Sequence, residues 1–321
     1  MEQFIDKINT SSVLVLVMIA LEIVFVPLFL HYYWPGRSYK SLATKTISSF
    51  IFIFCGVFAA QLCYALNNSY FHGASFELFK FTGDMLDYPR YIILGLIFGM
   101  LGDVILHKLK GTNLSFICGM LLFLAGHIFY IKAFDIAKGS YRWDTAELTG
   151  KIIIGVGIAF VAAILIASIV TKKIKGRVPV LGAAAVYGIV LFSMVSKAVG
   201  TAMTIAHHYE PTGMESLWGN PYSTSRPDWM ITCQKIFGDC EAWQLAVVAL
   251  IAGSVLFAFS DLLLGFMMAR EKGFGKPPKR SLRIINILTY YTAQIILAVS
   301  IIVIPLGFEW VGELYGFLGI Y

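Results

Sequence analysis

Eight stretches of this chain are each long and apolar enough to cross a lipid bilayer, near 13–33, 45–66, 90–107, 114–134, 151–170, 180–206, 243–269 and 284–306. One crossing takes about 20 residues, so these runs leave little chain for anything but membrane-spanning helices. The composition agrees, with 58% hydrophobic and 14% charged residues and a mean hydropathy of +0.76, far more apolar than a soluble domain of this length. An all-α polytopic membrane protein with eight transmembrane helices is expected, its residues 1–321 forming a single transmembrane domain. The first run is expected to stay attached: its leader MEQFIDKINTSS has two acids and one lysine, the run is too long for a signal peptide, and no small-residue cleavage site follows.

The net charge of +6 is distributed unevenly. Of the 25 Lys and Arg, 15 fall in the first, third, fifth and seventh loops, against 9 in the N-terminus and the even loops. Positive residues are retained on the cytoplasmic side, so the odd-numbered loops are expected there and both termini outside. A nucleic-acid partner is not expected, because the basic residues flank spans and form no face interleaved with aromatics; anionic lipid headgroups are their natural neighbours. Trp34, Trp143, Trp243 and Trp310 lie near span ends, as an interfacial aromatic belt requires.

Against this background the polar groups inside the spans stand out, since an ionisable side chain at membrane depth is costly. Asp103 and His127 lie in the stretch YIILGLIFGMLGDVILHKLKGTNLSFICGMLLFLAGHIFYIKAF. Gly95, Gly99, Asp103 and His107 recur every four residues and share one helix face, and the GxxxG spacing lets a second helix approach closely. Gly119, Gly126, His127 and Tyr130 share a face of the next helix by the same rule. Span 8 carries Asn286, Tyr290 and Gln294 at intervals of four.

The last two spans echo this stretch. GSVLFAFSDLLL aligns with GLIFGMLGDVIL when Asp261 is set on Asp103, and YTAQI aligns with LAGHI, placing Gln294 where His127 stands. Two parallel four-helix halves would produce such a 4+4 internal repeat. Asp103, Asp261 and Tyr290 fall in the inner half of the bilayer, His127 and Gln294 near its middle, and Lys45 enters from the same side. Polar groups from five helices at one level point to a shared cavity.

Two further charges lie within spans. Glu22 reads first as a polar contact between helices and second as a site residue; Lys197 either pairs with a carboxylate or snorkels outward. The longest extramembrane segment, residues 207–241, contains three prolines and is too short for an independent core; Cys233 and Cys240 within it are placed where a disulfide is permitted. No Cys or His spacing matches a zinc site, and neither a cofactor nor a metal is expected. His207 and His208 are expected to be solvated.

Taken together, Gly102-Asp103, Gly126-His127 with Tyr130, Ser260-Asp261, Thr289-Tyr290-Tyr291 and Ala293-Gln294 make the chain resemble the lysoplasmalogenase family of multi-span membrane proteins, which includes the YhhN proteins. The chain departs from that family in having Lys45-Thr46 where Lys-Pro is common, and in its long sixth loop. The resemblance implies hydrolysis of the vinyl-ether bond of lysoplasmalogens, giving a fatty aldehyde and a glycerophospho-base, with a lysophospholipid as substrate and a bacterial cell membrane as the expected location. Such cleavage needs a positioned acid and then a base around an oxocarbenium ion, a division of labour that two carboxylates perform in glycosidases. Asp103 and Asp261 are the expected pair. His127, Tyr130, Tyr290 and Gln294 would orient water and the ether oxygen, and Lys45 and Asn286 would contact the lipid. The same carboxylates and repeat also suit a proton-coupled transporter.

Overall fold

The computed structural model describes residues 2–33, 38–68, 87–108, 113–138, 143–170, 178–209, 242–274 and 279–304. These form helices α1 (Glu2–Tyr33), α2 (Tyr39–Asn68), α3 (Asp87–Lys108), α4 (Asn113–Lys138), α5 (Asp144–Val170), α6 (Val178–Tyr209), α7 (Ala242–Phe274) and α8 (Arg280–Val303). Each contains an apolar span of 20–26 residues, so the protein is an integral, multi-pass membrane protein. The segment expected as a loop from His207 begins as helix, since α6 runs to Tyr209; Cys233, Cys240 and the remainder of that segment lie outside the described residues.

Local signals explain where the helices start. Ser38 and Ser41 cap α2 reciprocally, the Ser41 amide donating to Ser38 Oγ at 3.2 Å and the Ser38 amide to Ser41 Oγ at 3.0 Å, which satisfies two amides that the first turn leaves without partners. Asp144 and Glu147 lie in the first turn of α5, where the helix dipole favours acids.

Helices α2, α3, α4, α6, α7 and α8 close into a ring by successive contacts, with α8 returning to α2 and also touching α3. Helix α1 packs outside on α2 and α8, and α5 packs outside on α6. Advancing every helix by four places carries α1–α2 onto α5–α6, α2–α3 onto α6–α7, α3–α4 onto α7–α8 and α4–α6 onto α8–α2. The α3–α8 and α1–α8 contacts have no counterpart of that kind among the described residues.

Glycine makes the α3–α4 contact close. A Cβ on Gly126 would stand 3.1 Å from the Gly95 carbonyl oxygen, and one on Gly95 would stand 2.3 Å from the Tyr130 ring. Two helices whose side chains are absent at the crossing approach until backbone meets backbone. Tyr130, Phe134, Phe257, Leu96 and Leu297 are fully buried in the ring interior, while α5 keeps Ile152, Val156 and Ile158 exposed toward lipid.

Candidate functional site

Among these apolar side chains the ring encloses a compact set of polar ones. Asp103 of α3 is buried and its Oδ1 lies 2.7 Å from Lys45 Nζ of α2; the same ammonium lies 3.4 Å from the Asp103 carbonyl oxygen and 5.9 Å from the Phe29 ring centre. The lysine expected to contact the lipid has Asp103 as its partner here. An ion pair removed from water stands only when its geometry is good, and removing one member leaves a charge uncompensated.

A second cluster forms around Asp261 of α7. His127 Nε2 from α4 lies 3.0 Å from Asp261 Oδ2, the Tyr187 hydroxyl of α6 donates to the same oxygen, and Tyr187 Oη lies 2.9 Å from His127 Nε2. Three helices thus meet at one carboxylate oxygen. The His127 ring is fully buried and its edge rests on Phe257, ring centres 4.9 Å apart.

Helix α8 lies between the two clusters. Tyr130 donates to Gln294 Oε1 at 2.8 Å, and Phe257 packs against Tyr290 as well as His127 and Tyr130. Tyr290 is within electrostatic reach of both Asp103 and Asp261, and the two acids are within reach of each other. Buried polar groups are normally hydrogen-bonded, yet Asp103 Oδ2, His127 Nδ1, Tyr290 Oη and Gln294 Nε2 complete no hydrogen bond although all four are buried. Tyr290 stands beside Asp103 without meeting hydrogen-bond geometry. Gly99 lets them pack closely on α3: a Cβ there would come within 3.1 Å of Gln294 Nε2 and 3.2 Å of Tyr290 Oη.

The structure therefore brings together Asp103, Lys45, His127, Asp261, Tyr130, Tyr290 and Gln294. Asn286 is placed differently. Its Nδ2 donates to the Ser260 carbonyl at 2.7 Å and lies 2.9 Å from Ser260 Oγ, and Ser260 Oγ donates to the Asn286 carbonyl at 3.1 Å. This clamp joins α7 to α8 one residue from Asp261. Lys197 pairs with Asp135 of α4 at 2.5 Å, both partly exposed, the first of the two alternatives its sequence position allowed. His207 is exposed but stacked on Trp143 with ring centres 4.2 Å apart. Glu22 is buried without a hydrogen-bond partner among the described residues. Among the described residues no three His, Cys, Asp or Glu side chains converge as a metal site would need.

Sequence reading missed Tyr187. It sits near the start of the span Ala184–His207, where a tyrosine reads as part of the interfacial belt; its one signal is the adjacent Gly188, since small residues beside a polar group mark a helix contact.

Residues 71–301 match the family model described as the YhhN family. No curated protein and no solved structure matches the chain. The matched stretch contains every residue of the Asp261 cluster, Asp103, Tyr290 and Gln294; α1 and α2, with Lys45, precede it.

Proposed function

The chain belongs to the YhhN family of multi-span membrane proteins, and from that membership we propose that it is a lysoplasmalogenase, cleaving the vinyl-ether bond of a lysoplasmalogen to a fatty aldehyde and a glycerophospho-base. One observation carries the reading: two carboxylates from opposite sides of a closed helix ring, each held by its own cation or donors, stand among four buried polar atoms that complete no hydrogen bond. A hydrolase of a lipid ether needs such unsatisfied groups, because the substrate brings one ether oxygen and water brings its own donors and acceptors.

In the proposed reaction a proton is delivered to the β-carbon of the enol ether, which leaves an oxocarbenium ion; water adds to the carbon bearing oxygen and loses a proton, and the hemiacetal collapses to aldehyde and alcohol. The proton consumed and the proton released balance, so the net change is the addition of one water. Asp261 with His127 and Tyr187 forms the proton-handling half, since its three titratable groups share one oxygen and one ring nitrogen, and His127 Nδ1 completes no hydrogen bond of its own. Asp103, ion-paired to Lys45 through Oδ1, keeps Oδ2 free to take the proton from attacking water and to face the cation. Tyr290 and Gln294 Nε2 orient the water and the ether oxygen.

Purified protein in detergent, given lysoplasmenylethanolamine, is expected to release aldehyde. Asp103→Asn and Asp261→Asn, each removing an acid–base group, should lower that rate by about 10²-fold or more. Parent-like rates from both well-folded variants would end the two-carboxylate reading. A proton-coupled carrier is the second reading, favoured by the Lys45–Asp103 ion pair at membrane depth; it predicts transport without product.

A further inference from the structure

A second buried carboxyl lies outside this machinery. Glu22 stands at the middle of the α1 span Thr10–Tyr33 and is only 5% exposed. Neither of its carboxyl oxygens has a hydrogen-bond partner, and no ion pair with a Lys or Arg exists for it among the described residues. The helices packed on α1 are α2 and α8, and the titratable groups they turn toward Glu22 are the Cys55 thiol and the Tyr291 phenol. An ionised carboxylate left unpaired in such surroundings is far too costly.

A row of polar groups runs from this carboxyl toward the site. Along α2, Lys45, Ser48 and Cys55 lie on one helical face, covering roughly 15 Å at 1.5 Å per residue, and Ser49 lies one turn from Lys45 on the flank of that face. Ser48 and Ser49 are fully buried, and Ser48 Oγ has no partner. Ser49 lies beside Tyr291, whose hydroxyl donates to the Lys45 carbonyl at 3.4 Å. Lys45 then holds Asp103. Buried oxygens without partners are the groups that internal water serves in proteins.

We infer that Glu22 is a proton-binding site of its own, held as the carboxylic acid in the α1–α2–α8 seam and connected through Ser48, Ser49, Tyr291 and internal water to the Lys45–Asp103 pair, whose protons it supplies and accepts. Each transfer moves one proton between neighbouring oxygen atoms and, at the last step, the Lys45 side-chain nitrogen beside Asp103, so no co-reactant is needed. Only the kinetic consequence rests on the hydrolase reading.

Two measurements on the full chain test this. The lipid-soluble dicyclohexylcarbodiimide adds to protonated carboxyls in apolar surroundings and leaves a stable N-acylurea. Peptide mass spectrometry should find that adduct on Glu22 and not in Glu22→Gln; an unmodified Glu22 after exhaustive treatment overturns the proton site, whether or not the protein makes aldehyde. In the aldehyde assay, Glu22→Gln should slow turnover at least threefold at alkaline pH while leaving it parent-like at acidic pH, with Glu22→Asp restoring most of the loss. A pH profile for folded Glu22→Gln that superimposes on the parent overturns the connection to Asp103.

Discussion

The oxygen of Asp261 that receives both Tyr187 and His127 is where single atoms decide most. Tyr187→Phe keeps the ring against His127 and removes one donor. A hydrogen bond to a carboxylate is worth about 1.5–3 kcal/mol, and about 1.4 kcal/mol is tenfold in rate, so kcat should fall at least tenfold with little change in KM, read from aldehyde release over a substrate series. Lys45→Met should destabilise more than it disables: it strands the Asp103 carboxylate in the ring, at a cost of about 3–5 kcal/mol, and adding Asp103→Leu should restore much of the thermal stability while leaving activity absent. At this scale the acids and His127 were legible because a charge inside an apolar run has few explanations. Tyr187 was not, because a tyrosine near a span end has an ordinary one. Asn286 was legible as polar and inward-facing, but its partner was not, since helical spacing gives a direction and no neighbour.

Between neighbouring helices the decisive quantity is the space a Cβ would occupy. Gly95→Ala would drive a methyl carbon to 2.3 Å from the Tyr130 ring, and overpacking of this kind costs about 1–3 kcal/mol; Gly155, with nothing within 4 Å of its Cβ position, should accept alanine with a parent-like melting temperature. Gly99→Ala should be selective for function: its methyl enters the space beside Tyr290 and Gln294, so aldehyde release should fall at least tenfold while the helix bundle stays folded by circular dichroism. The helices themselves were legible from length and apolarity, but not their ends: α1, α2 and α5 each begin several residues before the apolar run, in polar turns that hydropathy does not mark. Which face of α4 meets which neighbour was less so. Gly126 and His127 read as one face, yet adjacent residues point about 100° apart. Gly126 meets α3 while His127 crosses to α6 and α7. Expecting them to act together was right about the place and wrong about the direction.

Across the whole molecule the count of spans was readable, while the closure of six helices into a ring with α1 and α5 outside was not, because every span is apolar on nearly all sides and periodicity therefore cannot rank neighbours. Charge bias still predicts orientation. A cysteine replacing the exposed Lys279, in a background with Cys233 and Cys240 changed to serine, should resist a membrane-impermeant maleimide in intact cells and react once the membrane is opened; labelling of intact cells would reverse the expected topology.

The ring draws its reactive atoms from α2, α3, α4, α6, α7 and α8, so no group of adjacent helices contains the whole apparatus. Slight loosening anywhere around the circle, by heat, a harsh surfactant or a thinner bilayer, will pull donors from acceptors well before any helix unwinds. Catalytic function should accordingly fade at temperatures where the far-ultraviolet signal is still intact, making turnover a more sensitive gauge of closure than helicity.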